Sequence, residues 1–121
     1  MPNPSGTFTP DNLLGGAFPR VTGTGTIVSG AGALVRGTVL GQITSGGKLK
    51  TVNSANTDGS QTPYAVLAED ADASSSDVQA AVFLTGEFDE NRLVFGGSDT
   101  VATHRKALRA LSVFPKPALP A

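Results

Sequence analysis

The amino-acid sequence predicts a mainly β protein with one short C-terminal α-helix and an extended N-terminal arm. Gly and Pro make up 23 of the 121 residues, which favours short strands and many turns over long helices. From Val21 onward, small and β-branched residues alternate in short runs, and only one later stretch has apolar residues at helical spacing. We expect an arm over residues 1–20, one β-rich domain over 21–114 and a Pro-rich tail over 115–121.

The arm combines features that disfavour regular structure with apolar residues that lack a regular period. Its four prolines lack a backbone donor and disfavour helix in the residue before each of them. Two interpretations stay open: a free terminus, or a segment that becomes ordered on a binding partner. In the second case we expect six arm residues to contact the partner, and these are Thr7, Phe8, Thr9, Leu13, Leu14 and Phe18.

The first strands are predicted from alternation and from one turn signal. Residues 21–28 alternate small and β-branched side chains. Two further runs, 34–44 and 48–52, flank the link Ser45-Gly46-Gly47, a pattern typical of a β-hairpin. Leu49 faces opposite to its two lysine neighbours, so we expect that strand to be half exposed.

The later strands surround a polar turn. Tyr64–Glu69 is a predicted strand that follows Pro63, where a missing backbone donor is tolerated. Residues 70–77 are rich in Ser and Asp and predict a turn. Residues 77–88 form the longest strand candidate, and both of its faces are largely apolar. Such a strand lies either deep in the fold or at a subunit contact.

A helix is predicted over about residues 99–111. Ser98 or Asp99 is expected to cap its start, and three basic residues favour its C-terminal half through the helix dipole. Val101 lies on the same helical stripe as three further residues that are candidates for a subunit contact. These three residues are His104, Leu108 and Leu111.

The charge distribution indicates which partners to expect. The net charge is −1, so the chain lacks the basic surplus typical of nucleic-acid binders. Eight acidic residues and no basic one lie between residues 51 and 91, whereas residues 92–121 contain five basic residues and one acidic residue. The two regions are either separate solvated surfaces, or the acidic body of one subunit contacts the basic region of another.

The apolar content suggests that the protein gains stability from an assembly. Leu, Ile, Val and Phe total 30 residues, Trp is absent and Tyr occurs once, so bulky core residues are scarce. No apolar stretch approaches the roughly 20 residues of a membrane span, and no secretory signal is recognisable. We therefore expect synthesis in the cytoplasm, no membrane partner and burial against other subunits.

The sequence offers little that predicts catalysis. Cysteine is absent, and His104 is the only histidine, so a zinc site or a nucleophilic triad would need uncommon ligands or partners. The acidic groups at residues 69–72 and 87–90 could supply the carboxylate pair of a glycosidase, but they lie beside predicted turns, where acidic residues are common. The Gly-rich stretch 23–32 lacks the lysine and following helix of a phosphate-binding loop. We predict a non-enzymatic protein without a metal or cofactor, and with glycines that allow bends and close backbone approaches.

Four segments, in this order, resemble the lambda-type phage head decoration proteins. They are Leu40-Gly41-Gln42-Ile43-Thr44, Asp58-Gly59, Tyr64-Ala65-Val66-Leu67-Ala68-Glu69-Asp70-Ala71-Asp72-Ala73 and Thr85-Gly86-Glu87-Phe88. Each segment is short, and their order and spacing carry the resemblance, which spans about residues 34–114. The arm and the tail contain no matching motif.

The resemblance implies a β-clip-like fold, in which a bent ribbon forms an incomplete barrel. It also implies a capsid-stabilising, or cement, protein that binds the major capsid protein and itself as a homotrimer. In such proteins the N-terminal arm becomes ordered on the capsid, so the resemblance implies that the six arm residues named above bind the capsid. The trimer would lie at three-fold and quasi-three-fold positions on the outer surface of the expanded head and hold the shell against DNA pressure. An alternative is another trimeric β module, such as a phage fibre or spike domain.

Overall fold

A computed structural model describes residues 20–116 of the chain. Within this range it contains eight strands, one α-helix and a 3-10 turn at Glu90–Arg92. In chain order these strands and the helix are β1 (Val21–Ile27), β2 (Gly32–Leu34), β3 (Val39–Gln42), β4 (Leu49–Thr51), β5 (Pro63–Leu67), β6 (Ala71–Ala73), β7 (Val78–Asp89), α1 (Val101–Ala110) and β8 (Val113–Lys116).

Five strands form a closed barrel in the order β1, β4, β3, β5 and β7, with β7 pairing back to β1. The β1–β7 pair is antiparallel, and β1 meets β4 in parallel through Ile27 and Leu49. The predicted mainly β fold with one short helix is confirmed. The barrel itself is closed, whereas the family resemblance implies an incomplete barrel. Outside the ring, β2 and β6 form a two-stranded ribbon, and β8 runs parallel to the second half of β7.

One apolar core fills the barrel. Ile27, Leu40, Leu49 and Val82 come from four of its strands and are at most 1% exposed. The glycines of β1 make room for them: a Cβ at Gly25 would lie only 2.5 Å from Leu49 Cδ1. The expectation that these glycines allow close backbone approach is confirmed at this position.

A second apolar core lies between the outer face of the barrel and α1. It contains Val66 of β5, Phe83 and Phe88 of β7, Leu108 of α1 and Val113 of β8. Because alternate β7 residues face the two cores, that strand is apolar on both faces. The sequence predicts either a strand deep in the fold or a strand at a subunit contact, and the structure shows a strand buried within the fold.

Several predicted boundaries differ from the structure. The run 34–44 is interrupted by a turn in which Gly37 has φ +98°, so that it contributes to both β2 and β3. The segment 70–77 contains strand β6 as well as turns. The predicted hairpin and the strand after Pro63 are confirmed as β3–β4 and β5. Two residues of the predicted tail, Pro115 and Lys116, lie in β8, while residues 117–121 lie outside the described range.

Candidate functional site

The predicted capsid-binding residues of the arm lie outside the described residues. The described part of the chain begins at Arg20 and enters the barrel at Val21, whose N–H donates to Thr85 Oγ1 over 3.1 Å. The β1–β7 register shifts between Val21 and Thr22. The arm therefore joins the barrel at the start of β1, beside Thr85 of β7. Its binding role stays a prediction for Thr7, Phe8, Thr9, Leu13, Leu14 and Phe18.

The three candidate subunit-contact residues of the helix have internal contacts. His104 is 5% exposed and Leu108 is fully buried in the core between α1 and the barrel. Leu111 is partly buried and packs against the same core. The contacts that the structure shows for these side chains are therefore within one subunit, and a contact with another subunit stays a prediction.

Asp99 joins the start of the helix to the loop after β4. Its carboxylate accepts hydrogen bonds from the backbone N–H of Ser54 at 2.7 Å, the Ser54 hydroxyl at 2.6 Å and His104 Nε2 at 2.7 Å. The His104 ring stacks on Phe95, with 5.6 Å between centroids. The Ser54 hydroxyl, followed by His104, lowers the pKa of Asp99 below its ordinary value.

This cluster corrects the prediction that Ser98 or Asp99 caps the helix. The N-cap is Thr100, whose N–H donates to Thr103 Oγ1 over 3.1 Å. The cluster also differs from a nucleophilic triad, in which histidine lies between serine and aspartate. Here aspartate lies between the other two, so the Ser54 hydroxyl donates to a carboxylate and not to an imidazole base. The arrangement fixes a loop against a helix.

Three of the six carboxylates in the predicted acidic groups at residues 69–72 and 87–90 have partners that stabilise the fold. Glu69 accepts the N–H of Ala81 at 2.8 Å, and Asp89 accepts that of Asn91 at 2.9 Å. Glu90 forms an ion pair with Arg105 at 3.1 Å. These carboxylates therefore stabilise turns and strand ends of the same chain.

Metal-ligand clusters and membrane-spanning helices are both absent from residues 20–116. No group of three or more His, Asp or Glu side chains in this range is placed to hold a metal ion. No helix in the same range is long and apolar enough to cross a membrane.

The outer side of α1 forms a basic surface, which we call the basic face. Lys106 and Arg109 are exposed and three residues apart, so they lie on the same side of the helix. Two alanines, one before and one after the cations in the sequence, line the same surface. The residues of the basic face are Ala102, Arg105, Lys106, Arg109, Ala110 and Phe114.

A second surface lies on the β2–β6 ribbon, and we call it the acidic groove. Val35 is 52% exposed there, beside the exposed carboxylates of Asp70 and Asp72. This groove escaped the sequence interpretation because residues 70–77 were predicted only as a turn, and its β2–β6 pairing joins distant residues. The residues of the acidic groove are Ala33, Leu34, Val35, Asp70, Ala71 and Asp72.

Comparison with known proteins identifies the family. The family model of the bacteriophage lambda head decoration protein D matches residues 5–115. The comparison with curated proteins gave no match. The matched range extends beyond the motifs at 34–114 into the predicted arm, so the resemblance covers nearly all of the sequence. The chain therefore belongs to the bacteriophage lambda head decoration protein D family.

Proposed function

We propose that this protein is a cement protein that binds the outside of the expanded phage head and stabilises the shell against DNA pressure. It would act as a homotrimer at three-fold and quasi-three-fold positions, in contact with the major capsid protein. The observation that carries the proposal is the family match over residues 5–115, because it includes most of the arm as well as the barrel. Membership of a head decoration family implies association with the phage capsid.

The described structure supports a mechanical role. The barrel is closed, its interior is filled by apolar side chains, and a second core attaches the helix to it. A stiff domain of this kind transmits load between the sites that it contacts. A trimer contacts several capsid subunits at once, so modest affinity at each contact adds up to strong overall binding.

The arm is the proposed attachment segment. An extended chain supplies backbone hydrogen bonds to an exposed strand edge, and apolar side chains such as Phe8 and Leu14 fill pockets beside it. A site that forms only when neighbouring capsid subunits reach their expanded arrangement would restrict binding to the expanded head. Synthesis in the host cytoplasm followed by assembly onto the virion fits this order of events.

We also propose that the protein is not an enzyme. The family is one of structural capsid proteins, and the Ser54–Asp99–His104 cluster has aspartate where a triad needs histidine. The task of the protein, in this proposal, is binding alone.

Sedimentation with phage heads tests the proposal. Purified protein is mixed with expanded heads and, as the matched control, with unexpanded heads, and both are pelleted. We expect the protein in the pellet with expanded heads only, together with a higher temperature of head disruption. Protein that stays in the supernatant with expanded heads would contradict the proposal and favour the alternative of a fibre or spike module.

A further inference from the structure

We propose that the basic face of one subunit docks onto the acidic groove of the next subunit, so that this contact closes the homotrimer. The proposal rests on the trimer of the proposed function and adds to it a pair of surfaces and a direction. Its partner is a second copy of this chain, because both complementary surfaces are present on one subunit.

The basic face has positive charge that the described part of the subunit does not neutralise. Arg105 is held by Glu90 at 3.1 Å. Lys106 and Arg109 form no ion pair within residues 20–116, and both are exposed. Two cations on adjacent turns of one helix side therefore remain available to an external carboxylate.

The acidic groove has the opposite charge. Asp70 accepts the backbone N–H of Arg36 at 2.8 Å, and Asp72 accepts the N–H and hydroxyl of Ser74. Neither carboxylate forms an ion pair with a cation in the described range. Their local hydrogen bonds fix their positions while their negative charges remain exposed to a partner.

Each surface also has an apolar part of matching kind. Val35 is 52% exposed at the acidic groove, while Ala102 and Ala110 line the basic face together with the cations. An apolar centre with a charged rim is the usual anatomy of a protein interface, and opposite rim charges set partner choice and register. If a capsid subunit bound one of the two surfaces instead, the complementary charges on the other surface of the same chain would have no partner.

The two surfaces are separate, as a ring of identical subunits requires. They share no residue, since one lies on α1 and the other on the β2–β6 ribbon. A contact between two different surfaces of identical subunits is heterologous, and such contacts generate closed rings when the rotation between neighbours closes. A trimer of this kind contains three copies of the same contact.

Charge reversal in one and both surfaces tests the proposal. The variants are Lys106→Glu, Asp72→Lys and the double variant with both changes, and Arg92→Glu serves as the matched control because Arg92 is an exposed cation outside the basic face. Mass is measured by sedimentation equilibrium over a range of protein concentrations at low salt. Far-ultraviolet circular dichroism checks that each variant is folded.

We expect each single reversal to raise the concentration at which the trimer dissociates by at least about tenfold, because like charges then face each other in every contact. The double variant restores the opposite charges with their signs exchanged, so it should assemble nearly as well as the unmodified protein. Arg92→Glu should have no effect.

Three results would overturn the proposal in distinguishable ways. Single variants that assemble normally would place the subunit contact elsewhere. Normal assembly of Lys106→Glu together with lost sedimentation on expanded heads would assign the basic face to the capsid. If the unmodified protein is monomeric at every concentration, the trimer and this contact are both ruled out. If that monomer still binds to expanded heads, the proposed cement function stands without the trimer.

Discussion

Truncation of Leu108 to alanine tests the packing of the helix on the barrel. The Leu108 side chain is fully buried in the core that also contains Val66, Phe83 and Val113. Removing a buried leucine side chain costs the lost transfer free energy plus the free energy of the cavity that remains, in total about 2–5 kcal/mol. We expect a value near the middle of that range, because the neighbouring side chains named above come from three different strands, which limits how far they can move into the cavity.

The matched control is Leu111→Ala, since Leu111 is a leucine of the same helix end that is only partly buried. It should cost about 1 kcal/mol or less, in proportion to the smaller area removed from water. Both variants are unfolded in urea at one fixed protein concentration, because assembly contributes to the apparent stability. Equal losses for the two variants would refute the assignment of Leu108 to the central core.

The same pair of variants also separates internal packing from a subunit contact. If Leu108 acts inside the subunit, the folded Leu108→Ala protein keeps its assembly state while its free energy of unfolding falls. If Leu108 lies at a subunit contact, the assembly dissociates at higher protein concentration while the isolated subunit keeps its stability. Sedimentation equilibrium under folding conditions distinguishes the two results.

Three further predictions concern acid stability, the close backbone contact of strand β3 with Ser60, and the arm. Asp99 has a pKa below its ordinary value of 3.8, so its contribution to stability is present above that pH and is lost as the pH falls through the lower folded-state value. In urea unfolding between pH 5 and about 2, Asp99→Asn should therefore lose less free energy of unfolding on acidification than the unmodified protein. The same dependence of stability on pH in both proteins would show that the titration of Asp99 is not coupled to folding. Gly41→Ala should destabilise the protein by about 2 kcal/mol or more, because the new Cβ would lie 2.7 Å from the backbone carbonyl carbon of Ser60. The control Gly23→Ala should cost less in the same urea titration, because its Cβ would contact only the flexible end of Leu84, at 3.2 Å. Equal losses of stability would contradict the overlap with the Ser60 backbone. Removal of residues 1–20 should leave a folded trimer that pellets much more weakly with expanded heads, and unchanged pelleting would show that the arm does not bind.

Local sequence patterns predicted much of the fold. Alternation and turn residues predicted the β3–β4 hairpin, in which Leu49 is buried beside two partly exposed lysines. The apolar residues on both faces of residues 77–88 predicted a strand either deep in the fold or at a subunit contact, and β7 lies between the two cores. These features depend on residues close together in the chain, where side-chain period and turn chemistry are direct signals.

Features that depend on distant residues escaped prediction. Closure of the barrel requires β1 to meet β4 in parallel through a single residue pair, and no local pattern specifies that meeting. The sequence predicts Ser98 or Asp99 as the N-cap. In the structure the Asp99 carboxylate accepts a hydrogen bond from Ser54, 45 residues away, and Thr100 is the N-cap. The acidic groove likewise exists only because β6 pairs with β2.

Electron cryomicroscopy of expanded heads incubated with the protein tests the central claim most directly. We predict added density on the outer surface at the three-fold and quasi-three-fold positions, with three barrels per site and the arms in contact with the major capsid protein. Unexpanded heads treated in the same way should have no such density. Expanded heads without density at these positions, at saturating protein concentration, would contradict the claim that this protein is a head cement.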